Sequence, residues 1–333
     1  MRGVAARSAA AAPHPAPGTA TRARAGIGCE PSGRHGSHSS PLCRDHAADI
    51  PARRHLMILC KRLRMIKIVK SAFIVTDLEG TAGVTSFDAQ TRPGARYLDR
   101  SRRLATAELN AAVEALVAAG VDDVLVLDGH GCEGLWYEDL HPAVKLIHGR
   151  PHAPHSVLDP IVDRYEAGLI IGQHAMAGIR SGNMNHTQNS LLIDHIAING
   201  TVVGEIAQWA LYWGAAGMPF IFLSGEADAC TEARTLIPEI ETAAVKQGLS
   251  RNSAISVSPI EARRLIADGV ARAVDRHRGT PVRPTVWPGP YVLEKRFFYT
   301  DAADAAADSP DAERVDGQTV RFRSEDIRSL VYR

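Results

Sequence analysis

Long apolar runs, paired cysteines, aromatic rings and net charge are all scarce in this chain, and each shortage removes a class of function. No run of about 18 apolar residues occurs, so no membrane-crossing helix is predicted. The five cysteines (Cys29, Cys43, Cys60, Cys132 and Cys230) are scattered without a CxxC pair. That is not a disulfide framework, and it fits a reducing, cytoplasmic compartment. Phe, Trp and Tyr make up 5% of the residues and the formal net charge is +1. With few rings to stack on bases and no basic excess, neither a nucleic-acid partner nor an anionic membrane surface is expected. What remains is ordinary for a soluble globular protein: 333 residues, 45% hydrophobic and 23% charged, enough for one large domain or two.

Residues 1–64 differ from the rest. They are rich in Ala, Arg, Pro, Ser and Gly, lack hydrophobic periodicity, and hold only Glu30, Asp45 and Asp49 as acids. Three readings stay open: a transit-like segment, low-complexity disorder, or translation that really starts at Met57 or Met65. The last is favoured, because Met65-Ile66-Lys67-Ile68-Val69 runs straight into the first strand.

From residue 65 to 238 strands and helices alternate. The apolar runs are Phe73–Val75, Val124–Leu127, Val144–Ile147, Gly168–Gly172 and Pro219–Leu223. A helix is predicted over Tyr97–Ala119, from its stripe of Leu104, Leu109, Val113, Leu116 and Val117 and from Gly120 after its end. Asn199-Gly200 between two β-type runs signals a hairpin, and an apolar helix starts at Glu205. The pattern predicts an α/β fold, a three-layer αβα arrangement around a largely parallel sheet. From 239 to 333 a smaller α+β part is expected. It comprises a helix over Pro259–Arg276, strands over Tyr291–Phe298 and Gln318–Phe322, and a surface loop over Asp301–Ala312.

The chemistry gathers where strands stop. Phe73-Ile74-Val75-Thr76 ends in Asp77 and Glu79, which leave a strand from the same face and repel unless a cation or proton lies between them. Val124–Leu127 ends in Asp128-Gly129-His130, and Gly168–Gly172 ends in Gln173-His174. Carboxyl ends of parallel strands lie on one sheet edge, so these groups can converge, with Glu205 facing the same crevice. Acid and imidazole donors without thiolates suit zinc first, with manganese or cobalt as alternatives. Each residue also has a plainer reading. His130 can cap a helix, Glu205 can sit at a helix start for the dipole alone, Asp128 can orient a ligand instead of being one, and Cys132 can be a packed thiol. His141, His148, His152, His155 and His195 lack the strand-end setting and are not expected to be ligands.

Five blocks, in order, carry a resemblance over about residues 66–333. They are Asp77-Leu78-Glu79-Gly80, Asp128-Gly129-His130-Gly131, Gly172-Gln173-His174-Ala175, Asn185-His186-Thr187, and Asn199-Gly200 leading to Gly204-Glu205. In these the chain resembles the DppA-type D-aminopeptidases, bacterial binuclear-zinc peptidases. The resemblance implies two zinc ions per chain bridged by Asp77, with Glu79 and His174 completing one site and His130 and Glu205 the other. It implies His186 as the catalytic residue, short peptides with N-terminal D-residues as substrates, and a decameric ring of identical chains. A binuclear-metal amidase acting on a non-peptide amide is the alternative, with a peptide-binding protein of uptake behind it. Gly129, Gly134-Leu135 and Glu226 depart from the family pattern, and they bear on the substrate, not the metals.

Overall fold

The computed structural model describes residues 69–333, which all fall within one compact unit. The segment 1–64 and its three readings lie outside the described residues. Chain order is β1 (Ser71–Thr76), α1 (Leu98–Ala118), β2 (Asp123–Asp128), β3 (Val144–Ile147), α2 (His155–Val162), β4 (Ala167–Gln173), β5 (Ile193–Ile198), β6 (Thr201–Val203) and α3 (Glu205–Ala215). Then come β7 (Phe220–Glu226), α4 (Ala227–Leu236), β8 (Glu241–Ser250), β9 (Ser253–Ser256), α5 (Pro259–Gly279), β10 (Tyr291–Phe297), α6 (Thr300–Ala307), β11 (Glu313–Arg314) and β12 (Thr319–Ser324).

Seven strands form the main sheet in the order β3-β2-β1-β4-β7-β8-β9, parallel except for β9 at the edge. β1 and β4 are buried along almost their whole length, so both faces are covered and the strands read as continuous apolar runs. On the covering helices, α1 packs on α5, and α5 on β7 and β8. α3 is apolar all round, and its residues Ile206–Gly214 are all buried. It sends Trp209 and Trp213 against Phe73 of β1, and Trp213 against Phe220 of β7. This is the expected α/β layering, and it is the fold's core.

Chain order reverses between β1 and β4: the chain runs outward through β2 and β3 on one side and through β4 and β7 on the other. A crevice at the carboxyl ends of those strands is therefore built in by topology.

A second, antiparallel sheet has the order β11-β12-β10-β5-β6. Residues 239–333 thus contribute to both sheets: β8 and β9 extend the first, while β10 and β12 join β5 in the second. One expectation fails locally. The stretch expected to be a loop over 301–312 begins as helix α6. Its alanines are the strongest helix formers and Asp301 sits favourably in the first turn. Among the described residues no helix is long and apolar enough to cross a membrane.

Candidate metal centre

Three strand ends, one helix start and one loop supply the donors. Asp77 follows β1, and its backbone N–H donates to the Ile171 carbonyl at 2.9 Å, locking it beside β4. Gly80 sits so close to β4 that an added Cβ would lie 2.1 Å from the Gln173 carbonyl oxygen. Gly172, at φ +81°, would place one 2.2 Å from the carbonyl oxygen of Asp77. Only glycine fits such a close approach, and this packing aims Asp77, Glu79 and His174 into one crevice.

After β2 the chain folds back on itself. The Asp128 carboxylate accepts the N–H groups of Gly134 at 2.9 Å and Leu135 at 3.2 Å. The Arg150 guanidinium donates to the carbonyls of Asp128, Gly129 and His130 at 3.1, 2.6 and 2.7 Å. His130 is thus held from both sides, and Asp128 acts on the loop instead of standing among the clustered donors.

Each of the three crevice histidines has one ring nitrogen against a backbone carbonyl. His130 Nε2 meets Thr91 O, His174 Nδ1 meets Ala175 O and His186 Nδ1 meets Met184 O, all at 2.9 Å. A carbonyl only accepts, so those nitrogens carry the protons and the opposite nitrogens face inward. His130 Nδ1 lies 2.9 Å from Glu79 Oε2 and 3.4 Å from Asp77 Oδ1. His174 Nε2 lies 3.1 Å from Asp77 Oδ2 and 3.4 Å from Glu205 Oε1.

In the neutral rings, lone pairs therefore point at carboxylates, an arrangement that demands positive charge between them. Burial alone would raise the Asp77 pKa, but His130 and His174 hold it well below the usual range. Burial alone would lower the pKa of His130 and His174; Glu79 and Asp77 hold the first, and Asp77 and Glu205 the second, well above it. Protons can supply that charge, and so can divalent cations. Asp77 Oδ2, Glu79 Oε2 and His174 Nε2 are buried with no hydrogen-bond partner, which is how ligand atoms lie around a cation. The donor set is one that zinc accepts.

The six residues converge on one crevice, and their donor atoms fall into two groups. Donor atoms of Asp77, Glu79 and His130 lie within 4.8 Å of one another, as do those of His174, His186 and Glu205. Glu79 thus stands with His130 and Glu205 with His174, and Asp77 reaches both histidines. The His186 ring stacks on His174 at 3.9 Å and meets Phe87 edge-on at 5.4 Å. Burial and then the neighbouring His174 push its pKa down, keeping it neutral. A cavity of about 320 Å³ opens over the donors, with Phe87, Arg92, Gln188 and Leu191 among its rim residues.

A sequence profile described as D-aminopeptidase, peptidase family M55, matches residues 71–332. The chain belongs to this family. It is 32% identical over 257 residues to a D-aminopeptidase of Bacillus subtilis (strain 168), spanning 77% of this chain and 92% of that one. Among solved structures it is similar to the Zn-dependent D-aminopeptidase DppA from Bacillus subtilis, a self-compartmentalizing protease. That match has 31% identity, a TM-score of 0.71 and coverage of 77% of this chain and 92% of the other.

The residues where this D-aminopeptidase-family chain departs from the pattern all lie outside the donor clusters. Gly129 lines the cavity, and Gly134 donates to Asp128. Glu226 caps α4 and accepts the Gly248 N–H at 2.7 Å. Of the other histidines, His141 pairs with Glu114, His155 with Asp159 and His195 with Asp194. The Cys132 thiol donates to the Thr91 carbonyl at 3.1 Å.

Sequence reading missed Lys246. It is buried on β8, and its Nζ donates to the carbonyls of Glu79 and Val84, placing a cation behind the metal-side acids. It lies in the run Glu241–Ser250, whose interleaved polar residues give no clear strand period. Arg150 was missed too, since nothing near it in sequence announces the His130 loop.

Proposed function

We propose that this chain is a zinc-dependent aminopeptidase that hydrolyses short peptides with a free amino terminus, including those that begin with a D-residue. The observation that carries the reading is the geometry of the three imidazoles. Each is fixed through one nitrogen by a backbone carbonyl, and two of them turn the other nitrogen toward buried carboxylate oxygens without hydrogen-bond partners. Asp77, Glu79, His130, His174 and Glu205 would hold two ions, with Asp77 serving both. Bound there, zinc polarises a scissile carbonyl and lowers the pKa of water.

The remaining work falls to the chain. His186, kept neutral and anchored through Nδ1, offers Nε2 to take a proton from attacking water and deliver it to the leaving amine. A crevice acid recognises the substrate's ammonium group. A cavity of about 320 Å³, near the lower end for small-molecule sites, suits a short peptide and excludes a folded chain.

We further infer a ring of identical chains, ten by family resemblance, since the DppA structure is self-compartmentalizing. The location we assign is cytoplasmic, on the unpaired cysteine usage; Cys132 and Cys230 are free thiols. Comparing D-Ala and L-Ala amides, each free and N-acetylated, tests the central reading. Cleavage confined to the free forms is expected. Equal cleavage of acetylated forms would replace the aminopeptidase with a general amidase.

A further inference from the structure

Among the described residues, five non-glycine residues adopt left-handed backbone: Glu133, Met184, Gln188, Asn199 and Tyr332. Asn199 belongs to the β5–β6 hairpin, where that conformation is ordinary. Three of the others press on donors of the centre. The Met184 carbonyl accepts from His186, the Gln188 N–H donates to Glu205 Oε1 at 2.7 Å, and the Tyr332 hydroxyl donates to Glu205 Oε2 at 3.0 Å. Strain of this kind persists where its surroundings over-determine it.

Tyr332 is held firmly. Its ring lies 5.4 Å from that of Trp209 on buried α3. Leu330 and Val331 before it are buried. After it, the carbonyl of Arg333 accepts from the buried Lys295, and the Arg333 side chain pairs with Asp311. Lys295 Nζ also reaches Gln188 Oε1 at 3.1 Å. The segment around Tyr332 therefore touches Glu205 by two routes, directly on Oε2 and through Lys295 and Gln188 on the Oε1 side.

We propose that Tyr332 is a positioning residue of the centre: its hydroxyl occupies Glu205 Oε2 and so turns Oε1 toward His174 and the ion beside it. The terminal torsion of a glutamate is broad, and a carboxylate bound at one oxygen alone swings about it. Tying the outer oxygen removes that freedom before an ion arrives. This rests on the reading of Glu205 as a ligand.

The test uses the full chain loaded with zinc and titrated with a chelator of known affinity, comparing parent, Tyr332→Phe and Glu205→Gln. Phenylalanine keeps the ring on Trp209 and removes only the hydroxyl. Tyr332→Phe is expected to hold both ions at saturation while binding one of them about 10- to 100-fold more weakly, the other being unchanged. Glu205→Gln is expected to lose that same ion outright. Parental affinity for both ions in Tyr332→Phe would overturn the proposal, and so would equal weakening of both, which marks general packing. If Glu205→Gln keeps both ions at parental affinity, the ligand reading of Glu205 fails, whatever Tyr332→Phe shows.

Discussion

The two donor clusters are built in different ways. Asp77, Glu79 and His130 leave adjacent parallel strands within three residues of their ends, and their places follow from β1 and β2 lying side by side. In the other cluster only His174 comes from a strand end. His186 hangs on a loop, Glu205 starts a helix, and their supports are Met184, Gln188 and Tyr332 in strained backbone. The first half is a consequence of sheet topology; the second is held by a loop, a helix start and Tyr332 near residue 333. A sheet edge tolerates little adjustment, whereas a loop and a helix start can be re-aimed without disturbing the core. Ion affinity is therefore expected to be robust on the first side and tunable on the second.

The largest expected effect comes from the residue common to both. Asp77→Ala should lose most of both ions and nearly all activity, by elemental analysis and peptide hydrolysis. Full zinc content in that variant would remove the bridge and make the halves independent. Next, His186→Ala should lower turnover by about 10²- to 10⁴-fold, as expected for losing a general acid–base group, with two zinc ions retained. Loss of an ion there would make His186 a ligand instead of the acid–base group. Asp128→Asn should act more weakly and on the first cluster alone. It keeps one of the two oxygens that accept loop N–H groups but gives up charge, and a drop of about 10-fold in the affinity of one ion is expected by chelator titration. An effect on both ions would show that the clusters are mechanically joined. The smallest effect concerns neither cluster: a chain beginning at Met65 should keep its zinc and its turnover, since all six donors lie beyond it. Insolubility of that chain alone would place residues 1–64 in the fold.

The same contrast explains what was legible beforehand. Strand-end acids and histidines announce themselves locally, because an apolar run breaks into a polar group and glycines; Asp77, Glu79, His130 and His174 were readable for that reason. Glu205 was visible only as a helix start, and His186 entered through family resemblance, not through any pattern of its own. How the donors divide between the clusters was not legible, since it depends on side-chain directions across three strands. Tyr332, Lys246 and Arg150 gave no local sign at all. Their importance arises from where the second sheet, β8 and the loop after β3 bring them. The α/β layering was readable from alternation, whereas α2, α4 and β8 were missed because short or polar-interrupted elements carry weak periodicity.

The glycines under the centre have a consequence for anyone wishing to re-engineer it. Gly80 and Gly172 leave no room for a β-carbon against the neighbouring backbone, so the floor of the crevice accepts no side chain of any kind. The rim is different: Arg92 and Leu191 look onto the cavity without holding a donor. Libraries aimed at new substrates should leave the floor alone and spend their diversity on the rim, where a change of shape leaves the metal geometry intact.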